Sequence, residues 1–97
     1  MGMTILSKST LRDCGYPDAV DPLYKWYAIA KNANWQNIAE VRQEFPHADP
    51  IGDCTCFNIG GNKYRLIVQI NYIKQKIFIK HILTHKDYDK GNWKDGC

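Results

Sequence analysis

The sequence predicts an α+β domain, with helices first and an antiparallel β-sheet second. Three observations carry this expectation. Apolar residues in the first half recur at helical spacing, at Leu23, Trp26, Tyr27 and Ala30. After Asp53 the period changes to two, with Tyr64, Leu66, Val68, Ile70 and Tyr72 alternating with Lys63, Arg65, Gln69 and Asn71. Gly60-Gly61-Asn62 stands ahead of that run, as a tight hairpin connection requires.

The elements follow in order. Thr4-Ile5-Leu6 reads as a short opening strand. Ser7 can cap a helix starting near Lys8, with Leu11 its clearest apolar residue, and Gly15-Tyr16-Pro17 breaks it. Asp21-Pro22 joins a capping acid to a proline at the first helical position, with Pro17-Asp18 as the alternative start. Asn34 is the expected cap of a third helix that places Ile38, Val41 and Phe45 on one face and ends at Pro46. Residues 54–59 read as a strand, the alternating run as its hairpin partner, and residues 76–83 as a β-branched central strand. Ile67 interrupts the polar side of the middle strand. Thr84 can cap a turn or short helix over residues 84–89, and the polar tail 90–97 is expected to fray. Helices would cover one sheet face and leave the other open, carrying some of the basic side chains.

Composition narrows the function classes. Residues 1–97 are expected to form a single domain, burying roughly 60–65% of the surface of the unfolded chain. No apolar run approaches the ~20 residues of a membrane span. The first residues lack the basic start and apolar stretch of a secretion signal. The expectation is therefore a cytoplasmic protein with reduced thiols. Cys54 and Cys56 stand one residue apart, closer than the spacing of about two to four residues in paired zinc ligands. They read as strand thiols, and Cys97 as an exposed free thiol. The net charge of +3 is unevenly placed. Residues 1–56 carry five basic against seven acidic side chains, and residues 57–97 carry eight against three. A basic second part suits a polyanion, or a solvated lysine-rich face.

The chemistry-bearing residues form a set without metal ligands or a cofactor motif. The three histidines, His47, His81 and His85, lack ligand spacing, and Gly60-Gly61 is too short to cradle a nucleotide phosphate. What remains is Lys63, Arg65, Lys80, His81, His85, Lys86, Tyr88 and Lys90. RNA supplies its own nucleophile, the 2′-hydroxyl. Cleavage then needs a base, an acid and a fixed cation. Histidine can serve either proton-transfer role near neutrality, and the arginine fork matches phosphate oxygens. Each residue also has a plainer role. His85 can be a surface cap, Arg65 a member of a cross-strand ion pair, Tyr88 packing under the sheet, His81 a core histidine and His47 a loop residue.

Phe57-Asn58-Ile59-Gly60-Gly61-Asn62-Lys63-Tyr64-Arg65, followed by Thr84-His85-Lys86-Asp87-Tyr88-Asp89, resembles the HigB toxins of the RelE-like superfamily. The resemblance implies a compact α+β fold, metal-independent cleavage of messenger RNA in the ribosomal A site, and a cognate HigA-like antitoxin. It further implies that operator DNA is met only through the antitoxin complex. On this resemblance Arg65, His85 and Tyr88 fall on positions for catalysis or phosphate binding, while Gly61 and Asn62 shape the turn. Lys63, Lys80, Lys86 and Lys90 are candidates for RNA backbone contact by charge and placement. The alternatives are a non-catalytic RNA- or ribosome-binding module, a degenerate toxin, or a basic face that meets an acidic protein.

Overall fold

The alternating second part becomes the centre of one five-stranded sheet. The computed structural model describes residues 2–7 and 9–97. Its elements are β1 (Thr4–Leu6), α1 (Ser9–Arg12), a 3₁₀ turn (Pro17–Ala19), α2 (Val20–Asn32) and α3 (Ile38–Glu44). There follow β2 (Asp49–Ile51), β3 (Cys54–Ile59), β4 (Tyr64–Asn71), β5 (Lys76–Thr84), α4 (His85–Lys90) and a closing 3₁₀ turn (Asn92–Gly96). The strand order is β1-β5-β4-β3-β2. β1 lies parallel to β5, and the other pairings are antiparallel.

The α+β expectation holds, with α1, α2 and α3 on one face. Leu23, Trp26 and Ala30 of α2 and Val41 of α3 are buried with Phe57, Ile59, Leu66, Val68, Ile77 and Ile79 of the sheet. Trp26 and Trp35 meet Phe57 at ring-centroid distances of 5.5 and 6.3 Å. These aromatic contacts fix where the helices sit on the sheet.

Several boundaries differ from the sequence reading. The start at Lys8 lies outside the described residues, and the first helix is described from Ser9. The turn opened by Pro17 runs straight into α2, because the Val20 N–H bonds back to the Pro17 carbonyl. Asp21 therefore sits inside the first turn and does not cap it. Asn37, not Asn34, caps α3, its side chain accepting from the Glu40 N–H at 3.1 Å. Burial of Trp35 holds the intervening chain extended, and its indole N–H reaches Glu44 at 3.2 Å. β2 was not expected; its Pro50 is tolerated because the strand is an edge.

The second sheet face is covered at its Arg65 end and open at the other, where Phe78, opposite Gln69, is 40% exposed. α4 and the closing turn fold over the covered end, and Cys54, Cys56, Ile67 and Trp93 form a second buried cluster with Leu83, Tyr88 and Cys97 packed against it. This cover explains Ile67, which is fully buried. The tail is therefore ordered, contrary to the frayed end expected from its polarity. Gly91, at φ 76°, turns the chain back after α4. Cys97 ends beside the β2–β3 turn, where its carbonyl accepts from the Asp53 N–H at 2.8 Å. There Cys97 is disulfide-bonded to Cys54, so neither is a free thiol; Cys14 and Cys56 are. The return path of the tail, which local composition does not report, brings the two sulfurs together.

The Trp26 indole nitrogen is buried without a hydrogen-bond partner among the described residues. Trp26→Ala is expected to cost about 3–5 kcal/mol. Trp26→Phe keeps a ring against Phe57 and removes the orphan donor, so its cost should stay below about 2 kcal/mol. Urea unfolding of both variants measures the difference.

Candidate active site

Strand alternation places Arg65 of β4 on the second face, opposite Asn58 of β3 and Leu83 of β5. Neither neighbour is acidic, so the expected alternative of a cross-strand ion pair is absent. Among the described residues no carboxylate lies within ion-pair distance of Arg65. The side chain is nonetheless buried, 9% exposed. Its Nη1 donates to the carbonyls of Asn62 and Tyr64, both at 3.2 Å, and its guanidinium carbon lies 5.4 Å from the centre of the Tyr88 ring. Gly60 and Gly61, at φ 62° and 71°, form the turn that aims the Asn62 carbonyl at the guanidinium. A buried cation held only by neutral acceptors and a ring favours an anionic ligand.

Tyr88 reaches this site from α4. Its ring stacks on Trp93 at 5.0 Å and 20°, and the Trp93 indole N–H donates to the Tyr88 carbonyl at 2.9 Å. Burial pushes the Tyr88 phenol up, with the Cys56 thiol and Asp49 adding to the shift and Arg65 opposing it. Burial also pushes the Cys56 thiol up to about 11, partly offset by the Tyr88 hydroxyl and Arg65. At neutral pH both groups keep their protons, as they would at their ordinary values, so the Tyr88 phenol does not serve as a base there.

His85 begins α4, which Thr84 caps by accepting from the Asp87 N–H at 3.1 Å, as expected. The His85 N–H donates to the Lys63 carbonyl at 3.2 Å, tying α4 to the hairpin that carries Arg65. Its Nδ1 lies 3.0 Å from Asp89 Oδ2, one helical turn on, which leaves Nε2 free for proton transfer. Asp89 is thus a functional candidate that the sequence reading left unassigned. Its signal was the four-residue spacing on a helix. Trp93 was also missed, because it had been placed in a frayed tail.

The remaining candidates divide. Lys63 is 3.7 Å from Asp18, and Lys90 is 3.6 Å from Asp87. Asp18 accepts from the Tyr64 hydroxyl, which holds that carboxyl below its ordinary value and pushes the Tyr64 phenol up to about 12. Lys80 and Lys86 are exposed. Lys80 has no partner in the register because pairing shifts between Ile67 and Val68, a bulge that re-aims side chains. The same shift sets His81 opposite Ile67 on the second face, so it is not a core histidine. It lines a cavity of about 360 Å³ with Leu83, Asp87, Lys90, Asn92 and Trp93. His47 is an exposed loop residue.

Residues 19–91 match the family model of the HigB toxin, a RelE-like toxic component of a toxin–antitoxin system. The chain is similar to the mRNA interferase HigB of Escherichia coli O6:H1, 32% identical over 93 residues, which cover 91% of this chain and 90% of that protein. It is similar also to the mRNA interferase toxin HigB of Escherichia coli K12, 42% identical over 92 residues, covering 90% of this chain and 88% of that one. An mRNA interferase HigB from Shigella flexneri shows the same 42% identity.

The raised Cys56 thiol carries a pH dependence of stability. A folded value above the ordinary one stabilises fully below the unfolded value of 9.0, and that contribution is lost as pH rises through about 11. Unfolding free energy should therefore fall across this alkaline window, and fall less steeply in Cys56→Ala. Equal slopes in denaturant titrations of the two proteins would contradict the assignment.

Proposed function

The chain belongs to the HigB family of RelE-like toxins, and from that premise we propose that it cleaves messenger RNA on the ribosome by metal-independent attack of the 2′-hydroxyl. The observation that carries this reading is Arg65, a buried guanidinium with no carboxylate beside it among the described residues. A scissile phosphate would supply the missing anion.

The geometry supports one division of roles. His85 Nε2 takes the 2′-hydroxyl proton, while Asp89 on Nδ1 stabilises the imidazolium that results. The 2′-oxygen attacks phosphorus, and Arg65 offsets the charge that develops on the phosphorane oxygens. The 5′-oxygen leaves with a proton from Tyr88, whose phenol is protonated at neutral pH. The products are a 2′,3′-cyclic phosphate and a 5′-hydroxyl end. Lys63, Lys80, Lys86 and Lys90 contact RNA phosphates away from the reacting centre.

Membership of a toxin–antitoxin family implies a cognate antitoxin. A HigA-like antitoxin would cover this basic face, and operator DNA would be bound only through that complex. Action on ribosome-bound message places the protein in the cytoplasm. No described helix is long and apolar enough to cross a membrane.

Induction in growing bacteria with mapping of mRNA 5′ ends tests the proposal. New cuts within translated regions are expected from the wild type. His85→Ala should slow cleavage by about 10²–10⁴-fold, the usual worth of a proton-transfer group. Arg65→Lys keeps the charge but loses the planar fork, and should also be strongly impaired. Full toxicity of both folded variants would overturn the site.

A further inference from the structure

The segment after α4 supplies no group to the proposed chemistry, yet it is built into the site. Gly91 reverses the chain and lays Trp93 against the Tyr88 ring, with the indole N–H on the Tyr88 carbonyl. Trp93 is only 6% exposed. The Tyr88 ring in turn contacts the Arg65 guanidinium. Four residues beyond Trp93, Cys97 is joined to Cys54 of β3, with a Cα–Cα distance of 5.3 Å. Gly52 leaves room for this return, because a Cβ there would stand 2.5 Å from the Cys97 carbonyl oxygen. The sheet edge, disulfide, Trp93, Tyr88 and Arg65 thus form one connected chain of contacts. The family match ends at residue 91, before Trp93 and Cys97.

We propose that Trp93 is a positioning residue for the Arg65 site and that the Cys54–Cys97 disulfide holds it there, so that RNA cleavage depends on the thiol redox state. The proposal rests on the cleavage reading above. Disulfides that form in reducing compartments are usually transient or redox-sensing. A glutathione-type thiolate attacks one sulfur of the pair, the S–S bond breaks, and a mixed disulfide forms. A second thiolate releases the protein sulfur. Cys54 and Cys97 end as thiols that have gained two electrons and two protons, and the reductant leaves as its own disulfide. Oxidised glutathione reverses the sequence. With the tether open, the closing turn keeps the Asp53–Cys97 hydrogen bond and the packing of Trp93 but loses its covalent anchor, so Trp93 is held less firmly against Tyr88.

The test uses the full chain on purified translating ribosomes, buffered with oxidised or reduced glutathione. Oxidised protein should cleave faster, with kcat falling on reduction by up to about 100-fold, as small misplacements of a charged group do, and KM little changed. Cys54→Ser/Cys97→Ser should match the reduced protein and ignore the buffer. Oxidised Trp93→Phe keeps a ring on Tyr88 and should retain most of kcat, while Trp93→Ala should resemble the reduced state. The Arg65 Nε–H and Tyr88 ring NMR signals should shift on reduction, which reads the positioning without any cleavage. Equal kcat in both buffers, or unmoved signals, would overturn the proposal. If the wild type cuts no RNA in either state, the cleavage reading fails and the NMR signals alone decide the positioning. Should Trp93→Ala fail to fold, Trp93→Phe and the redox comparison carry the test.

Discussion

Arg65 brings a full positive charge onto the part of a sheet face that α4 and the closing turn cover, and among the described residues no carboxylate within ion-pair distance neutralises it. Burying such a charge is costly unless its donors are satisfied. The surroundings can be read as the answer to that cost. The hairpin turn presents the Asn62 carbonyl and the start of β4 the Tyr64 carbonyl, Tyr88 offers its ring, and Trp93 backs Tyr88 from the closing turn. This satisfies part of the guanidinium and leaves the remainder for an anion. The same arrangement pushes the Tyr88 phenol and the Cys56 thiol above their ordinary values: each is withdrawn from water by the cover that encloses Arg65.

The other charged groups work on a smaller scale. The His85–Asp89, Lys63–Asp18 and Lys90–Asp87 pairs are more than 40% exposed at every partner. Exposed pairs are screened by solvent and contribute little, so these do not hold the fold together. Their value lies in orientation. Asp89 fixes which imidazole nitrogen is free, and the exposed lysines raise the local positive potential.

The helical stripe of α2, the hairpin at Gly60-Gly61-Asn62, the β4 alternation and the Thr84 cap were legible because each is a local pattern of spacing or turn chemistry. The two motifs that flank the β4–β5 hairpin also marked Arg65, His85 and Tyr88 before any geometry was known. The hairpin does bring the motifs together, since Tyr64 pairs with Thr84 and Arg65 with Leu83. Ile67 was the one residue that pointed to a covered second face, but a single apolar residue does not say what covers it.

The sequence by itself determined the fold class and the strand that carries Arg65, because periods of two and 3.6 residues report which side chains share a face, and the Thr84 cap marked a turn or short helix at His85. The tertiary structure decided the Cys54–Cys97 bond, the stacking of Trp93 on Tyr88, the burial of Arg65 and the placement of His81 on the second face. The reason is distance along the chain. Cys54 and Cys97 are 43 residues apart in sequence, and no local pattern encodes where a polar tail returns. Sheet order, a β-bulge and the reversal at Gly91 set that path, and with it the environment of the charge at the centre of the site.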